Sequence, residues 1–529
     1  GWASDPNDGQ SNVTADQVYQ RVIDGVHHED GHIILLHDAG GSSRKPTLDA
    51  LPRIIETLQH EGYQFISLEQ YLGMNKQTLM PEINKGKAYY AMQTNLWLAE
   101  MIYHVSDFLT ALFLVFLALG MLRLIFMYVL MIREKRAENR RNYAPIDAAT
   151  APTVSIIVPG YNEEVNIVRT ITTLKQQDYP NLHIYFVDDG SKDHTLERVH
   201  EAFDNDDTVT VLAKKNGGKA SALNYGIAAC RSEYVVCIDA DTQLKNDAVS
   251  RLMKHFIADT EKRVGAVAGN VKVGNQRNML TYWQAIEYTS SQNFDRMAYS
   301  NINAVTVVPG AIGAFRKEVI EAVGGFTTDT LAEDCDLTMS INEHGYIIEN
   351  ENYAVAMTEA PETLRQFVKQ RIRWCFGVMQ AFWKHRSSLF SPSKKGFGLW
   401  AMPNMLIFQY IIPTFSPLAD VLMLIGLFTG NALQIFFYYL IFLMIDASVS
   451  IMAYIFEGER LWVLLWVIPQ RFFYRWIMYY VLFKSYLKAI KGELQTWGVL
   501  KRTGHVGPHP PTPSPRERGS AGNNLLKND

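Results

Sequence analysis

Residues 154–164 read VSIIVPGYNEE, an apolar run followed directly by turn, aromatic and acidic residues. The run has the length and the β-branched content of a buried strand. Comparable runs follow at HIYFVDD, TVTVLA, YVVCIDAD and VGAVAG, and stretches with helical spacing separate them. This alternation predicts an α/β domain over residues 150–395. In open α/β sheets ligands bind beyond the carboxyl ends of the strands, which is where these polar residues follow.

Candidate site residues follow three of the predicted strands. In chain order they are Tyr161 and Glu163, then Asp188 and Asp189, then Asp239 and Asp241. The last pair places two carboxylates at i and i+2, close enough to share one hard cation. Mg²⁺ or Mn²⁺ with a diphosphate is the expected occupant. Taken singly, each acidic turn is explained equally well by ordinary turn chemistry, so the prediction depends on their order along the chain.

A glycine pair precedes a predicted helix at Gly217, Gly218 and Lys219. Backbone N–H groups and an ammonium group at the start of a helix can bind an anion such as a phosphate. The G-x-x-x-x-G-K-[ST] spacing of the ATPase phosphate loop is absent, which disfavours an ATPase.

Three more motifs follow in order, VPGAIGAFR at 308–316, AEDCDL at 332–337 and QRIRW at 370–374. With the strand-end motifs they form an ordered set of Pro-x-Tyr-Asn-Glu, Asp-Asp-Gly-Ser, Gly-Lys-x-x-Ala-Leu-Asn, Asp-Ala-Asp, Glu-Asp and Gln-x-x-Arg-Trp. This set resembles the processive family-2 glycosyltransferases, which include cellulose, chitin, hyaluronan and poly-N-acetylglucosamine synthases. The resemblance covers about residues 150–390 and implies an α/β nucleotide-diphospho-sugar transferase domain of the GT-A type.

The resemblance also implies a role for each motif residue. The nucleotide-binding positions are Pro159, Tyr161, Glu163, Asp188, Asp189 and Lys219, and the metal positions are Asp239 and Asp241. For Asp188, holding the turn is the alternative role. The catalytic positions are Asp334 as the base, Glu333 beside it, which raises its pKa, and Arg373, which neutralises the leaving diphosphate. The acceptor-binding positions are Gln370, Trp374 and Gly310. Taken alone, Gln-x-x-Arg-Trp also fits an interfacial helix with a snorkelling arginine and a tryptophan at headgroup level.

An apolar run at residues 105–132 carries Arg123 as its one basic residue. It is long enough to cross about 30 Å of hydrocarbon and predicts a transmembrane helix over residues 104–132. The basic residues that follow place the C-terminal side of this helix in the cytoplasm. Residues 1–100 would then face outward.

Apolar runs resume at 403–429, 433–456 and 461–490, which predicts transmembrane and interfacial helices over residues 396–492. Pro469 interrupts the last run, so either one bent span or a re-entrant segment with an interfacial helix fits. The composition of residues 493–529 predicts a cytoplasmic or disordered tail. The expected location is integral to the plasma (inner) membrane, with the α/β domain in the cytoplasm.

Residues 1–100 resemble the last third of a polysaccharide deacetylase barrel, with an apolar strand at 33–36 and a helical pattern at 51–58. His37 matches that family's late catalytic histidine, but the family's upstream metal ligands are missing, so an inactive remnant of a longer protein is expected. His28 and His32 have i, i+4 spacing, but the turn residues between them disfavour a metal pair. A deacetylase fused to a synthase implies a polymer that carries N-acetyl groups.

Composition excludes several functional classes. The 50 Lys and Arg residues against 54 Asp and Glu give a net charge of −4, which argues against a nucleic-acid-binding surface. The four cysteines have no C-x-x-C spacing, so neither a zinc site nor a disulfide scaffold is indicated.

The resemblance implies a membrane-bound processive inverting glycosyltransferase. It would polymerise N-acetylglucosamine from UDP-N-acetylglucosamine into a β-linked polysaccharide and export it. A cellulose- or hyaluronan-type synthase using UDP-glucose or UDP-glucuronate is the alternative. Intact Asp241, Asp334 and Arg373 disfavour a transporter or scaffold with a vestigial domain, and the missing metal ligands disfavour an extracellular esterase. The expected partners are the UDP-sugar donor, the growing polysaccharide and the lipid bilayer. No nucleic-acid partner is expected, and an accessory membrane subunit is a further possible partner.

Overall fold

The structure is a computed structural model. It describes residue 8 and residues 13–28, 33–37, 44–81, 84–141, 143–428 and 432–491. The chain divides into two compact units, residues 1–109 and 110–529. His32 and the predicted tail at 493–529 lie outside the described residues.

The N-terminal unit is built mainly from helices. They are α1 (Ala15–His28), α2 (Lys45–His60), α3 (Leu68–Leu72) and α4 (Lys76–Leu79). Its apolar core joins α1 and α2 through buried residues such as Val22 and Ile54. The helix expected at 51–58 is confirmed. The strand expected at 33–36 is reduced to a single bridge at Ile34, because a strand needs a paired neighbour along its length and the described residues of this unit form no strand.

One helix, α5 (Lys87–Arg140), contains the predicted span at 104–132 and extends beyond both of its ends. The flanking residues are rich in Ala, Leu, Glu, Lys and Arg, which are strong helix formers and continue the helix outside the apolar run. Within the described ranges this is the one helix long and apolar enough to cross a membrane, with a hydropathy of 2.4 in its most apolar window.

The described part of the C-terminal unit contains one eight-stranded sheet. Its strands are β1 (Val154–Gly160), β2 (Leu182–Asp188), β3 (Val209–Ala213), β4 (Tyr234–Cys237), β5 (Gln243–Leu244), β6 (Val264–Val273), β7 (Gly313–Arg316) and β8 (Ile347–Thr358). Their order is β3-β2-β1-β4-β7-β6-β8-β5. Strands β1 to β4 are parallel, and β7 runs antiparallel to both β4 and β6. The α/β class is therefore confirmed.

Helices cover both faces of the sheet. They are α6 (Ile167–Lys175), α7 (Thr195–Phe203), α8 (Lys219–Ala229), α9 (Ala248–Ala258), α10 (Met279–Glu287), α11 (Phe294–Ser300), α12 (Lys317–Ala322), α13 (Glu333–Glu343) and α14 (Leu364–Lys384). Successive residues of the central strands alternate between two apolar clusters: Ile157 and Val235 belong to one, and Ile156 and Val236 to the other. Such alternation is expected for strands that are buried on both faces.

The C-terminal apolar runs are helical where the structure describes them. The helices are α15 (Met402–Asn404), α16 (Ile412–Phe428), α17 (Ala432–Glu457) and α18 (Val467–Lys491). The last apolar run was expected to be interrupted at Pro469. The structure places the change in helix type before this residue, because Leu461–Trp466 forms a 3₁₀ segment directly before α18. Pro469 occupies the first turn of α18, where its missing N–H breaks no helical hydrogen bond.

Candidate active site

A cavity of about 720 Å³ lies at the carboxyl edge of the parallel strands. Most of the predicted site residues line it: Pro159, Tyr161, Glu163, Lys219, Asp239, Asp241, Gly310, Glu333, Asp334, Gln370, Arg373 and Trp374. Asp188 and Asp189 are not among the lining residues. The motifs that are far apart in sequence thus meet around one space large enough for a small-molecule substrate.

The sheet explains why these motifs meet. β1 and β4 are parallel neighbours, so Tyr161 and Asp239, which follow them, lie at the same edge. β7 runs antiparallel to β4, with Gly313 opposite Cys237. The loop that precedes β7 and carries Gly310 therefore reaches the edge where β4 ends.

The acidic pair after β2 holds the loops that border the cavity. Asp188 Oδ2 accepts hydrogen bonds of 3.0 Å from the backbone N–H groups two and three residues ahead. Asp189 accepts hydrogen bonds from the backbone N–H groups of residues 217–218 and from Lys214 Nζ at 2.7 Å. Asp188 Oδ1 is buried and has no hydrogen-bond partner among the described residues. Asp189 therefore fixes the glycine loop, whereas Asp188 holds the turn that follows β2.

Lys219 joins two of the acidic motifs. Its Nζ lies 2.7 Å from Asp239 Oδ1 and 3.0 Å from Glu333 Oε1. Gly310 leaves room for this side chain, because a Cβ at that position would lie 2.5 Å from Lys219 Nζ. Burial alone would lower the pKa of Lys219, but attraction by the neighbouring carboxylates raises it. The ammonium group is therefore charged and neutralises two acids at the centre of the cavity.

Asp334 lies in the first turn of α13. Its Oδ1 accepts a hydrogen bond from the Cys335 N–H at 2.8 Å, and its Oδ2 accepts one from the Gly310 N–H at 3.2 Å. Burial, followed by the adjacent charge of Glu333, raises the pKa of Asp334 to about 6, although Lys219 opposes the shift. A carboxylate whose pKa is close to neutrality is well suited to accept a proton from a hydroxyl group.

Helix α14 carries the Gln-x-x-Arg-Trp motif with its polar residues turned into the protein. Arg371, which is 2% exposed, donates hydrogen bonds to Gln370 Oε1 at 2.9 Å and to Glu287 Oε2 at 2.7 Å. The Arg371 guanidinium also lies 4.3 Å from the centre of the Trp374 ring. Arg371 therefore orients Gln370 and Trp374 at the cavity wall. Headgroup contact alone does not explain these buried contacts.

Sequence reasoning missed a polar cluster at the cavity wall nearest the apolar helices. Arg123 on α5 donates hydrogen bonds to Asn404 Oδ1 at 2.8 Å and to Asp295 Oδ2 at 2.9 Å, and all three residues line the cavity. Arg296, the neighbour of Asp295, lines the cavity too. The isolated charge of Arg123 in an apolar run was a usable signal, because such charges face protein or water rather than lipid. Asp295, Arg296 and Asn404 belong to no recognised motif.

The residues present fit a divalent cation that arrives with a diphosphate. Within the described residues, no three His, Cys, Asp or Glu side chains form a metal-binding group. Mg²⁺ bound with a substrate phosphate commonly takes only one or two protein carboxylates, and the phosphate oxygens complete its coordination. Asp239 and Asp241, both lining the cavity, provide such an oxygen donor pair.

Comparison with known proteins agrees with this geometry. Residues 151–377 match the family model described as "Glycosyltransferase like family 2". Residues 151–377 are therefore similar to a family-2 glycosyltransferase domain. This match confirms the predicted resemblance to family-2 glycosyltransferases over residues 151–377.

The curated proteins that this chain is similar to include two staphylococcal proteins. The poly-beta-1,6-N-acetyl-D-glucosamine synthase of Staphylococcus epidermidis is 32% identical over 260 residues, which is 48% of this chain and 62% of the relative. The protein of the same name from Staphylococcus aureus strain COL is 32% identical over 260 residues, which is 49% of this chain and 61% of the relative. The chain thus spans about three fifths of the length of these relatives.

Among solved structures, a mannosyltransferase from Pyrobaculum calidifontis in complex with GDP-Man and Mn²⁺ matches 66% of this chain and 95% of its own chain. The sequence identity is 23% and the TM-score is 0.47.

Proposed function

We propose that this chain is a membrane-bound processive inverting glycosyltransferase that polymerises N-acetylglucosamine from UDP-N-acetylglucosamine into a β-linked polysaccharide. The observation that carries the proposal is the meeting of Asp239 and Asp241, Asp334 and the Gln-x-x-Arg-Trp helix around one cavity. The names of the two staphylococcal relatives support the choice of sugar.

The donor nucleotide would bind at the ends of β1 and β2. Tyr161 and Glu163 line the cavity there, and an aromatic ring can stack on uracil while a carboxylate accepts from ribose hydroxyl groups. The resemblance also assigns Asp188 to the nucleotide, but this residue does not line the cavity and its unpartnered Oδ1 is buried.

The diphosphate would lie between the two acidic motifs. Asp239 and Asp241 would hold Mg²⁺ or Mn²⁺, which supplies positive charge to the phosphate oxygens. Lys219, already within 3.0 Å of Glu333, adds a second positive charge at the same place. Arg373 lines the cavity on α14 and would neutralise the departing UDP.

Asp334 would act as the base. The acceptor hydroxyl group loses its proton to Asp334 while its oxygen attacks the anomeric carbon, and the bond from that carbon to the UDP oxygen breaks. A single displacement of this kind inverts the anomeric configuration, so an α-linked donor gives a β-linked product. Trp374 offers an apolar ring face on which the acceptor sugar can stack.

The membrane-bound character and export belong to the same proposal. The cavity that contains Asp334 is also lined by Arg123 on α5 and by Asn404 and Phe408 next to α16. A hydrophilic polymer can cross a bilayer only where protein groups satisfy its hydroxyl groups, and a polar cluster in apolar helices provides such groups. Synthesis and export would therefore share one path.

The test uses membranes that contain this chain, supplied separately with labelled UDP-N-acetylglucosamine and UDP-glucose in the presence of Mg²⁺. We expect polymer from the first donor alone, and loss of incorporation in Asp334→Asn by a factor of about 10³. Asp204→Asn, an exposed carboxylate outside the cavity, is the matched control and should incorporate label normally. Polymer from UDP-glucose would indicate a cellulose-type synthase, and a requirement for UDP-glucuronate would indicate a hyaluronan-type synthase. Labelled polymer that stays on the donor side of sealed vesicles would contradict export.

A further inference from the structure

Helix α11 presents two charged residues to the cavity, and only one of them is neutralised locally. Asp295 pairs with Arg123 at 2.9 Å. Arg296, 6% exposed, lines the same cavity. Its Nη2 donates a hydrogen bond to Asn293, but its Nε has no hydrogen-bond partner among the described residues. Arg296 is therefore a buried cation with unused hydrogen-bonding capacity at the cavity wall.

The acids whose charges act most on Arg296 each have partners of their own. Glu457 lies 3.2 Å from Lys272, Asp295 is held by Arg123, and Asp334 accepts hydrogen bonds from backbone N–H groups. Within the described part of the chain, none of the ion pairs includes Arg296. Burial lowers the pKa of Arg296 to about 10, so the guanidinium still carries its charge at neutral pH.

Such a group is expensive to bury unless something accepts its hydrogen bonds. Sugar hydroxyl oxygens and acetamido carbonyl oxygens are good acceptors for a guanidinium N–H. Arg296 lines the same cavity as Asp334, the proposed base, and as Arg123 and Asn404 on the apolar helices. A glycan that extends from the base toward the apolar helices would pass this position.

We propose that Arg296 is an acceptor-binding residue that donates hydrogen bonds to hydroxyl or acetamido oxygens of the growing glycan. This inference depends on the proposed function and adds a residue that none of the sequence motifs contains. Arg296 would hold the chain between additions, so its removal should weaken acceptor binding and shorten the product without weakening donor binding.

The test compares Arg296→Gln and Arg296→Lys with the unchanged chain in membranes. Three quantities are measured: the KM for a short N-acetylglucosamine oligomer as acceptor, the KM for UDP-N-acetylglucosamine, and UDP release without acceptor. For Arg296→Gln we expect the acceptor KM to rise about tenfold or more, with product length reduced. The donor KM and the UDP release should stay within about twofold. Arg296→Lys keeps the charge and should recover part of the acceptor affinity.

The matched control is Arg251→Gln, a partly buried arginine on α9 that does not line the cavity. It should leave all three quantities unchanged. A parallel rise of the donor KM in Arg296→Gln would place Arg296 at the diphosphate and overturn the inference, and so would an unchanged acceptor KM. Equal losses in both Arg296 variants, with lowered thermal stability, would show a structural role and overturn it as well. If the unchanged chain makes no polymer, the proposed function fails and this inference fails with it.

Discussion

Both units of the chain bury an acidic residue among hydrogen-bond donors, but with different consequences. In the N-terminal unit, Asp8 accepts hydrogen bonds from Thr47 and His37, both at 2.8 Å. In the C-terminal unit, Lys219 joins Asp239 to Glu333 across a cavity of about 720 Å³. The first arrangement satisfies Asp8 with groups of its own unit, whereas the second gathers charges around a space that a substrate can enter. A buried charge indicates a reactive site only when several elements leave such a space beside it.

Removal of divalent cations is the strongest test of whether the charges around the cavity form a reactive site. Chelation should reduce polymer synthesis by a factor of about 10³ or more, because two carboxylates and a diphosphate cannot come together without positive charge between them. Adding Mg²⁺ or Mn²⁺ should restore it. The measurement is labelled-sugar incorporation in washed membranes, with Asp241→Asn as a variant that added metal should not rescue. Full synthesis in the presence of a strong chelator would contradict the role of Asp239 and Asp241.

The raised pKa of Asp334 makes a prediction about pH. The base works in its ionised form, so the rate should fall about tenfold per pH unit as the pH decreases below about 6. Glu333→Gln removes the like charge that raises the pKa of Asp334, so the acidic limb should move to lower pH in this variant. The measurement is the pH profile of initial incorporation rates. If the acidic limb of the pH profile does not move in Glu333→Gln, a group other than Asp334 causes that limb.

A charged cluster between α13 and α14 should affect stability. Asp336 lies 2.9 Å from both His385 and Lys384, and hydrogen bonds from these partners and Thr327 outweigh burial and lower the pKa of Asp336 to about 2. Burial alone would lower the pKa of His385, but its hydrogen bonds to Asp336 and to Glu343 outweigh burial and raise this pKa to about 9. Asp336→Asn should cost about 3 kcal/mol of stability, because it removes one of the two carboxylates that hold the buried imidazolium of His385. The measurement is denaturant unfolding of the detergent-solubilised chain.

The pH dependence of the stability that this cluster contributes follows from the directions in which the pKa values of His385 and Asp336 are shifted. The part due to His385 is fully present below about pH 6.5 and is lost as the pH rises through about 9. The part due to Asp336 is present above about pH 3.8 and is lost as the pH falls through about 2. The difference in stability between the unchanged chain and Asp336→Asn should therefore shrink on the alkaline side. A constant difference between pH 6 and 10 would contradict the assignment.

The smallest effect is expected in the N-terminal unit. His37→Ala removes one hydrogen bond to Asp8 and should change polymer synthesis by less than about twofold, because His37 does not line the cavity that contains Asp334. The measurement is the incorporation assay used for the cavity variants, beside Asp334→Asn. A large loss in His37→Ala would show that the two units depend on one another in function.

Much of the α/β domain could be predicted from local sequence. Buried parallel strands are short apolar runs, and the residues after them lie at one edge. The sequence therefore predicted that Tyr161, Asp239 and Asp241 lie close together, and they line one cavity. The position of Gly310 beside Asp334 could not be predicted from the sequence, because it depends on the antiparallel pairing of β7 with β4. Arg371 and Arg296 were missed because their proposed roles depend on their burial and on the residues they contact. The spacing of residues along the sequence does not indicate either.

The sequence by itself determined the α/β class, the identity of the acidic motifs and the apolar run contained in α5, since these depend on periodicity and on short-range order along the chain. Only the tertiary structure decided that Lys219 neutralises Asp239 and Glu333 together, that burial brings the pKa of Asp334 near neutrality, and that Arg296 lies at the cavity wall with unused donors. The physical reason is that electrostatic and desolvation energies depend on distances between residues far apart in the chain. Those distances are set by sheet pairing and helix packing rather than by any one segment.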